Sequence, residues 1–377
     1  MNLLKKILYR SFSTSISGFY IILFALAIGV ATFVENDFGT SSAQHIIFKT
    51  WWFELILTLF AISLVVNIFK FRMIQQKKWA ILTFHGAIIV ILAGAGVTRY
   101  FGSEGMMHIR EGDTNNIFLS SESYLMFEAI QNGKKYQFDE PVQFSSLGQN
   151  DFKNSYIIGD SEVNVELLDF IPNPAKIMVQ NENGLPILKI VMGGMSGREE
   201  YFLNYKESLS VRNMTFNFNE VERSQAINIK YEDSGLYIKS NQPLTQMVMA
   251  TQQRDTLMPG EYHPLLIRSL YSSEQLSFVI ADFRPKGRLA IASSSEKMAS
   301  TSTAGIHLNI EINDQHKDFY VYGNKGAEGR SQVVSIVDTQ FSISYGAKKV
   351  PLPFSIKLNK FIMERYPGTN SASSYAS

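Results

Sequence analysis

Three long apolar blocks dominate the first 101 positions, and none recurs afterwards. They are Ile16–Val34, Trp51–Phe69 and Trp79–Val97, each about as long as a helix must be to cross a ~30 Å hydrocarbon core. From residue 102 onward the pattern changes to alternation of apolar and polar positions. Strand-like alternation is expected at Tyr124–Ala129, Val163–Leu168, Ile227–Tyr231, Leu236–Ile238, Ile306–Ile312, Phe319–Tyr322 and Phe354–Leu358. Asn132-Gly133, Asn183-Gly184, Ser234-Gly235 and Tyr345-Gly346 are expected as turns. The pattern predicts a membrane α-helical bundle over 1–101, with helices near 16–34, 51–69 and 79–97. A large mainly-β domain, a sandwich or open barrel, follows over 102–377. The Ser/Thr-dense stretch 293–303 reads as an exposed loop that divides this region into two sub-domains.

Lysine and arginine set the orientation. Lys5, Lys6 and Arg10 precede the first span, and Lys70, Arg72, Lys77 and Lys78 join the second to the third. The first-to-second connection has only Lys49 against Glu35 and Asp37. The positive-inside rule then puts the N-terminus in the cytoplasm and the β domain on the outer side. Ala25-Leu26-Ala27 resembles a signal-peptide cleavage site, but the apolar run continues to Val34, so an uncleaved helix is expected. Trp51, Trp52 and Trp79 sit at span ends, where indole rings favour the interface.

The formal charge of +1 gives no reason to expect nucleic acid as a partner. The absence of cysteine excludes disulfides, thiolate metal sites and a cysteine nucleophile. Catalytic motifs are poor. Gly194-Met195-Ser196-Gly197-Arg198 lacks the second glycine of a nucleophile elbow, and Gly94-Ala95-Gly96 lies in a span. No catalytic residue is assigned.

One residue breaks the apolar pattern: His85, inside the third block. An ionisable residue in hydrocarbon is a functional candidate, and imidazole is a common haem ligand. His85 lies about six residues from the cytoplasmic end of its helix, roughly 9 Å in. At 100° per residue Leu92 and Gly96 share its face. Gly86, Ala87, Ala93 and Gly94 lie on adjacent faces, so close helix packing around His85 is expected. Glu54 and Asn67 are expected to bond locally or snorkel. His45 and His108 fall near the outer surface, whereas His263, His307 and His316 read as surface residues without metal-site spacing.

Gly39-Thr40, Trp52-Phe53, Asn67, Phe84-His85-Gly86, Gly94-Ala95, Gly96, Thr98, Gly102, Gly105 and Glu111-Gly112, in that order, resemble the ResB/CcsB family of cytochrome c-type biogenesis proteins (System II). The segment 361–368, Phe-Ile-Met-Glu-Arg-Tyr-Pro-Gly, resembles the end of that family's outer domain. The overall character is closest to the N-terminal part of a CcsBA-like fusion. The resemblance implies a bacterial inner-membrane protein with a periplasmic β domain. It further implies a non-catalytic part of a holocytochrome c synthase complex, whose partners are a CcsA-type protein and apocytochrome c. Haem b would be the transported substrate, with His85 an axial ligand to the iron. Arg99 and Arg110 are candidate propionate contacts, and His45 and His108 candidate outer-side haem contacts. Because family members continue into a further span, the resemblance also implies a chain cut short before it. The competing reading is a membrane-anchored envelope scaffold whose β domain binds a protein without haem. A quinone- or b-haem-linked electron-transfer subunit would normally show paired histidines within the spans, which this sequence lacks.

Overall fold

The computed structural model describes residues 12–194, 197–232, 235–273 and 277–376. Lys5, Lys6, Arg10, Ser234 and the Met195-Ser196 pair lie outside the described residues.

Helix α1 (Thr14–Ala43) begins at Ser13, whose hydroxyl accepts from the Ile16 amide, a normal N-cap. Helix α2 is Trp51–Lys70 and helix α3 is Trp79–Phe101. All three are long and apolar enough to cross a membrane, and they mark the chain as a membrane protein. The connection from the first to the second span is largely helical. α1 runs nine residues past Val34 and leads into a π-turn, Gln44–Phe48. Its one break is Gly39, at φ +79° and ψ 164°, a conformation that favours glycine. A β-carbon there would sit 3.3 Å from the Met298 carbonyl oxygen. The Met298 amide donates to the Asp37 carbonyl at 3.0 Å, and Lys297 Nζ reaches the Asp37 carboxylate at 2.9 Å. The break therefore seats a loop of the β region on the helix.

The chain divides into two compact units: residues 1–174 with 293–377, and residues 175–292. In the first, two antiparallel sheets share one core. One sheet runs Gly105–Met106, Thr114–Gln131, Thr339–Lys357, Gln332–Ile336, with Lys134–Val142 also on Thr114–Gln131. The other runs Gln315–Gly323, Ala304–Ile312, Ser161–Pro172, Lys153–Ile158. Alternate residues point inward, so Leu125, Phe127 and Phe341 of one sheet join Val165, Ile306 and Leu308 of the other. Asn132-Gly133 forms the expected two-residue hairpin turn, both residues at positive φ. The outgoing chain at Asn173 and the returning chain at Ser294 are hydrogen-bonded, Ser294 N to Asn173 O at 3.1 Å.

The second unit has its own core of Leu188, Ile190, Phe216, Phe218, Ile229 and Phe278, among others. Tyr271 is fully buried there, and its hydroxyl both accepts from and donates to the Leu266 backbone. A six-stranded and a five-stranded sheet enclose it. The five-stranded sheet contains a parallel pair, Met214–Phe218 with Ile227–Glu232.

Two expected turns are strand interiors. Asn183-Gly184 lies within Pro174–Gly194, and Tyr345-Gly346 within Thr339–Lys357. Neither glycine reverses the chain; each admits a close backbone. A β-carbon on Gly184 would fall against the backbone of Gly287. One on Gly346 would come 2.5 Å from Ala327 O and 2.6 Å from Gly329 N.

Candidate functional site in the helical bundle

The helices pack in sequence, α1 on α2 and α2 on α3. Near the Thr14 end of α1, the buried Ser17 hydroxyl donates to Ser63 at 3.0 Å, and Asn67 Nδ2 donates to Ser17 at 3.0 Å. Asn67 therefore bonds across helices, not locally as the sequence predicts. Among the described residues its Oδ1 is buried without a partner. Polar side chains at such a seam find partners on the neighbouring helix because hydrocarbon offers none.

At the opposite end of the bundle, Glu54 in the first turn of α2 meets the last turn of α3. Arg99 pairs with the Glu54 carboxylate and also donates to the Phe48 carbonyl. The Tyr100 hydroxyl donates to Glu54 at 2.9 Å. Glu54 thus neither snorkels nor bonds within its own helix. The sequence held a clue in an acid near the start of one span and a base near the end of the antiparallel next one.

Below this cluster lies a groove of about 510 Å³ between α2 and α3. Leu57, Thr58, Ala61 and Ile62 form one wall and Ile89, Leu92, Ala93 and Gly96 the other. His85 is half-buried and lies one turn before Ile89 on the same stripe of α3. Its Nδ1 lies 2.9 Å from the Ile81 carbonyl oxygen. A carbonyl only accepts, so Nδ1 carries a proton, and in the neutral ring the lone pair is then on Nε2. Among the described residues no hydrogen bond engages Nε2. A neutral imidazole oriented by a backbone carbonyl is the form that ligates metals.

The close packing expected around His85 is not formed by the described residues of this chain. A β-carbon on Gly86, Gly94 or Gly96 would find no atom within 4 Å, and α3 has no fully buried residue.

Above the cluster a second cavity, of about 530 Å³, separates the helix ends from the sandwich. Phe48, Ala95 and Arg99 line both spaces, so Arg99 stands where they meet. The remaining candidates lie apart. His45 Nδ1 is 3.3 Å from the Gln143 carbonyl oxygen, and its ring packs against Gly148. His108 and Arg110 are exposed on the segment leading to the first long strand. His263 Nε2 is 2.9 Å from the Met258 carbonyl oxygen, and His307 stacks on Tyr320 at 4.3 Å. Among the described residues no group of three or more His, Asp or Glu side chains is arranged to hold a metal ion.

Residues 75–158, which contain α3, His85, Arg99, His108 and Arg110, match the ResB-like family. A stretch of 119 residues is 42% identical to Protein NrfI of Wolinella succinogenes. That match covers 31% of this chain and 13% of the relative, so the chain spans a small part of the curated relative's length. The helix that carries this imidazole thus lies within the segment that is similar to the ResB-like family.

Proposed function

We propose that this chain is the haem-handling part of a System II cytochrome c biogenesis complex. It holds haem b in the membrane through His85, passes it outward and, with a CcsA-type partner, presents it to apocytochrome c. The observation that carries this reading is the placing of His85: Nδ1 is committed to Ile81, no hydrogen bond engages Nε2 among the described residues, and the ring lies one helical turn before Ile89, which lines an apolar groove. A porphyrin is a flat apolar ring with an iron that takes axial imidazole and two anionic propionates. The groove offers an apolar wall, and His85 one axial bond. The second axial ligand comes from the partner, whose helices pack on the open glycine faces of α3.

Four turns of helix, about 21 Å, separate His85 from Arg99. Arg99 therefore meets propionates only after the ring has moved outward, at the junction of the groove and the upper cavity. There a propionate competes with Glu54 for the guanidinium, so the Glu54–Arg99–Tyr100 cluster acts as a latch on the route. Arg110, His108 and His45 are proposed contacts further along it. Lys70, Arg72, Lys77 and Lys78 hold the α2–α3 connection in the cytoplasm, and three crossings put the sandwich in the periplasm.

The test is haem co-purification with a co-expressed CcsA-type partner. His85→Ala is expected to lose most of the Soret absorbance, with recovery on adding millimolar imidazole. Helix content measured by circular dichroism should stay the same. Unchanged haem content in the variant would overturn the assignment.

A further inference from the structure

The junction of α1 with the sandwich holds a smaller cavity, of about 180 Å³, apart from the groove. Two cations line it. Lys49 ends the π-turn, two residues before Trp51 opens the apolar span, so the cavity lies at headgroup level. Lys325 stands on the turn Asn324–Ala327, which Gly326 permits at φ +75°. Among the described residues Lys325 makes no hydrogen bond or ion pair. Gln143 also lines the cavity, and its Nε2 is buried with no acceptor. Ser41 and Ser121 add hydroxyls. The one carboxylate in the lining, Glu122, is a loose 3.7 Å from Lys49 and largely exposed.

Two ammonium groups and an unmet amide donor thus face a single, loosely placed carboxylate. Burial, then the neighbouring Lys49 charge, pushes the Lys325 ammonium below its ordinary range, against a weaker opposing pull from Glu35. An anion between the lysines would relieve that penalty. Lys325 also lines an adjoining cavity of about 310 Å³ floored by Phe144, Phe170 and Tyr345.

We propose that the Lys49–Lys325–Gln143 cavity binds a phosphate group, and that the adjoining aromatic cavity takes an apolar part attached to it. The shared chemistry is a tetrahedral oxyanion bound by two ammonium groups, an amide and hydroxyls. A headgroup of an anionic phospholipid lies within reach at this depth, and free phosphate is the alternative source. The site shares no residue with the α2–α3 groove, although Lys49, Ser121 and Glu122 also line the upper cavity.

The test uses the full chain in a non-ionic detergent. Inorganic phosphate is titrated and followed by phosphorus NMR. Phosphatidylglycerol retention is measured in parallel by native mass spectrometry. Lys325→Gln and Lys49→Gln are expected to weaken whichever probe binds by about tenfold. Lys325→Arg should largely preserve it, and the distant Lys286→Gln should change nothing. Binding of phosphatidylglycerol alone identifies the lipid as the source; binding of inorganic phosphate identifies the free ion. If neither probe binds at millimolar concentration, or if binding ignores Lys325 while the variant's thermal melt is unchanged, the proposal is overturned.

Discussion

Single side chains at the helix seams have roles that differ from those of soluble proteins. Asn67 makes one interhelical bond, and among the described residues its Oδ1 is buried and unpaired. Asn67→Ala therefore removes a bond and an unmet acceptor together. The expected loss is small, about 0.5–1 kcal/mol, read as a shift in unfolding midpoint in mixed micelles. The Glu54–Arg99 pair is half-exposed, and a charge-assisted bond of this kind is worth about 1–2 kcal/mol after screening. Glu54→Gln and Arg99→Gln should each cost that much, and the double variant should cost less than their sum, because neither charge is then left alone. An additive double variant would show that the two side chains do not act as a pair. In the proposed pathway, Arg99→Gln should also slow haem delivery to apocytochrome c while sparing haem bound at His85.

Sheet and helix elements were legible where periodicity was clean and opaque where a glycine had two possible uses. Ile306–Ile312 alternates strictly and lies in the strand Ala304–Ile312, with most apolar positions fully buried. Phe354–Leu358 marks only the end of a strand that starts at Thr339. Glycine pairs mark hairpins at Asn132-Gly133 but close backbone approaches at Gly184 and Gly346, and composition alone does not separate these. The distinction is testable. Gly346→Ala should cost about 1–3 kcal/mol or more through overpacking, measured by chemical denaturation, whereas Gly133→Ala should cost less because its β-carbon meets open space and only its positive φ is strained. At the candidate site, His85 stood out as polar within an apolar run. The Ser17–Ser63–Asn67 knot and the Lys49–Lys325 pairing did not, since each joins residues far apart in the chain.

Across the whole molecule, acid should weaken the second unit first. Glu222 is held below the ordinary glutamate value of 4.5 by its bond to Lys239 and then by Tyr262. Tyr201 does the same for Glu199 and Lys189 for Glu200. The unfolded chain therefore binds protons at a pH where these folded carboxylates remain ionised. Their contribution is complete above the ordinary value and disappears as pH falls through the lower folded values. Melting temperature should decline as pH falls below the ordinary glutamate value of 4.5, and Glu222→Gln should flatten that decline; a flat wild-type profile would contradict it. Finally, the hydrogen bond between Asn173 and Ser294 has an architectural consequence. Because departure and return occur side by side, residues 175–292 form a cassette that a splice of a few Gly and Ser residues can replace with little loop-closure cost. The cassette can therefore be removed or exchanged as a block while the sandwich of the first unit keeps its own core.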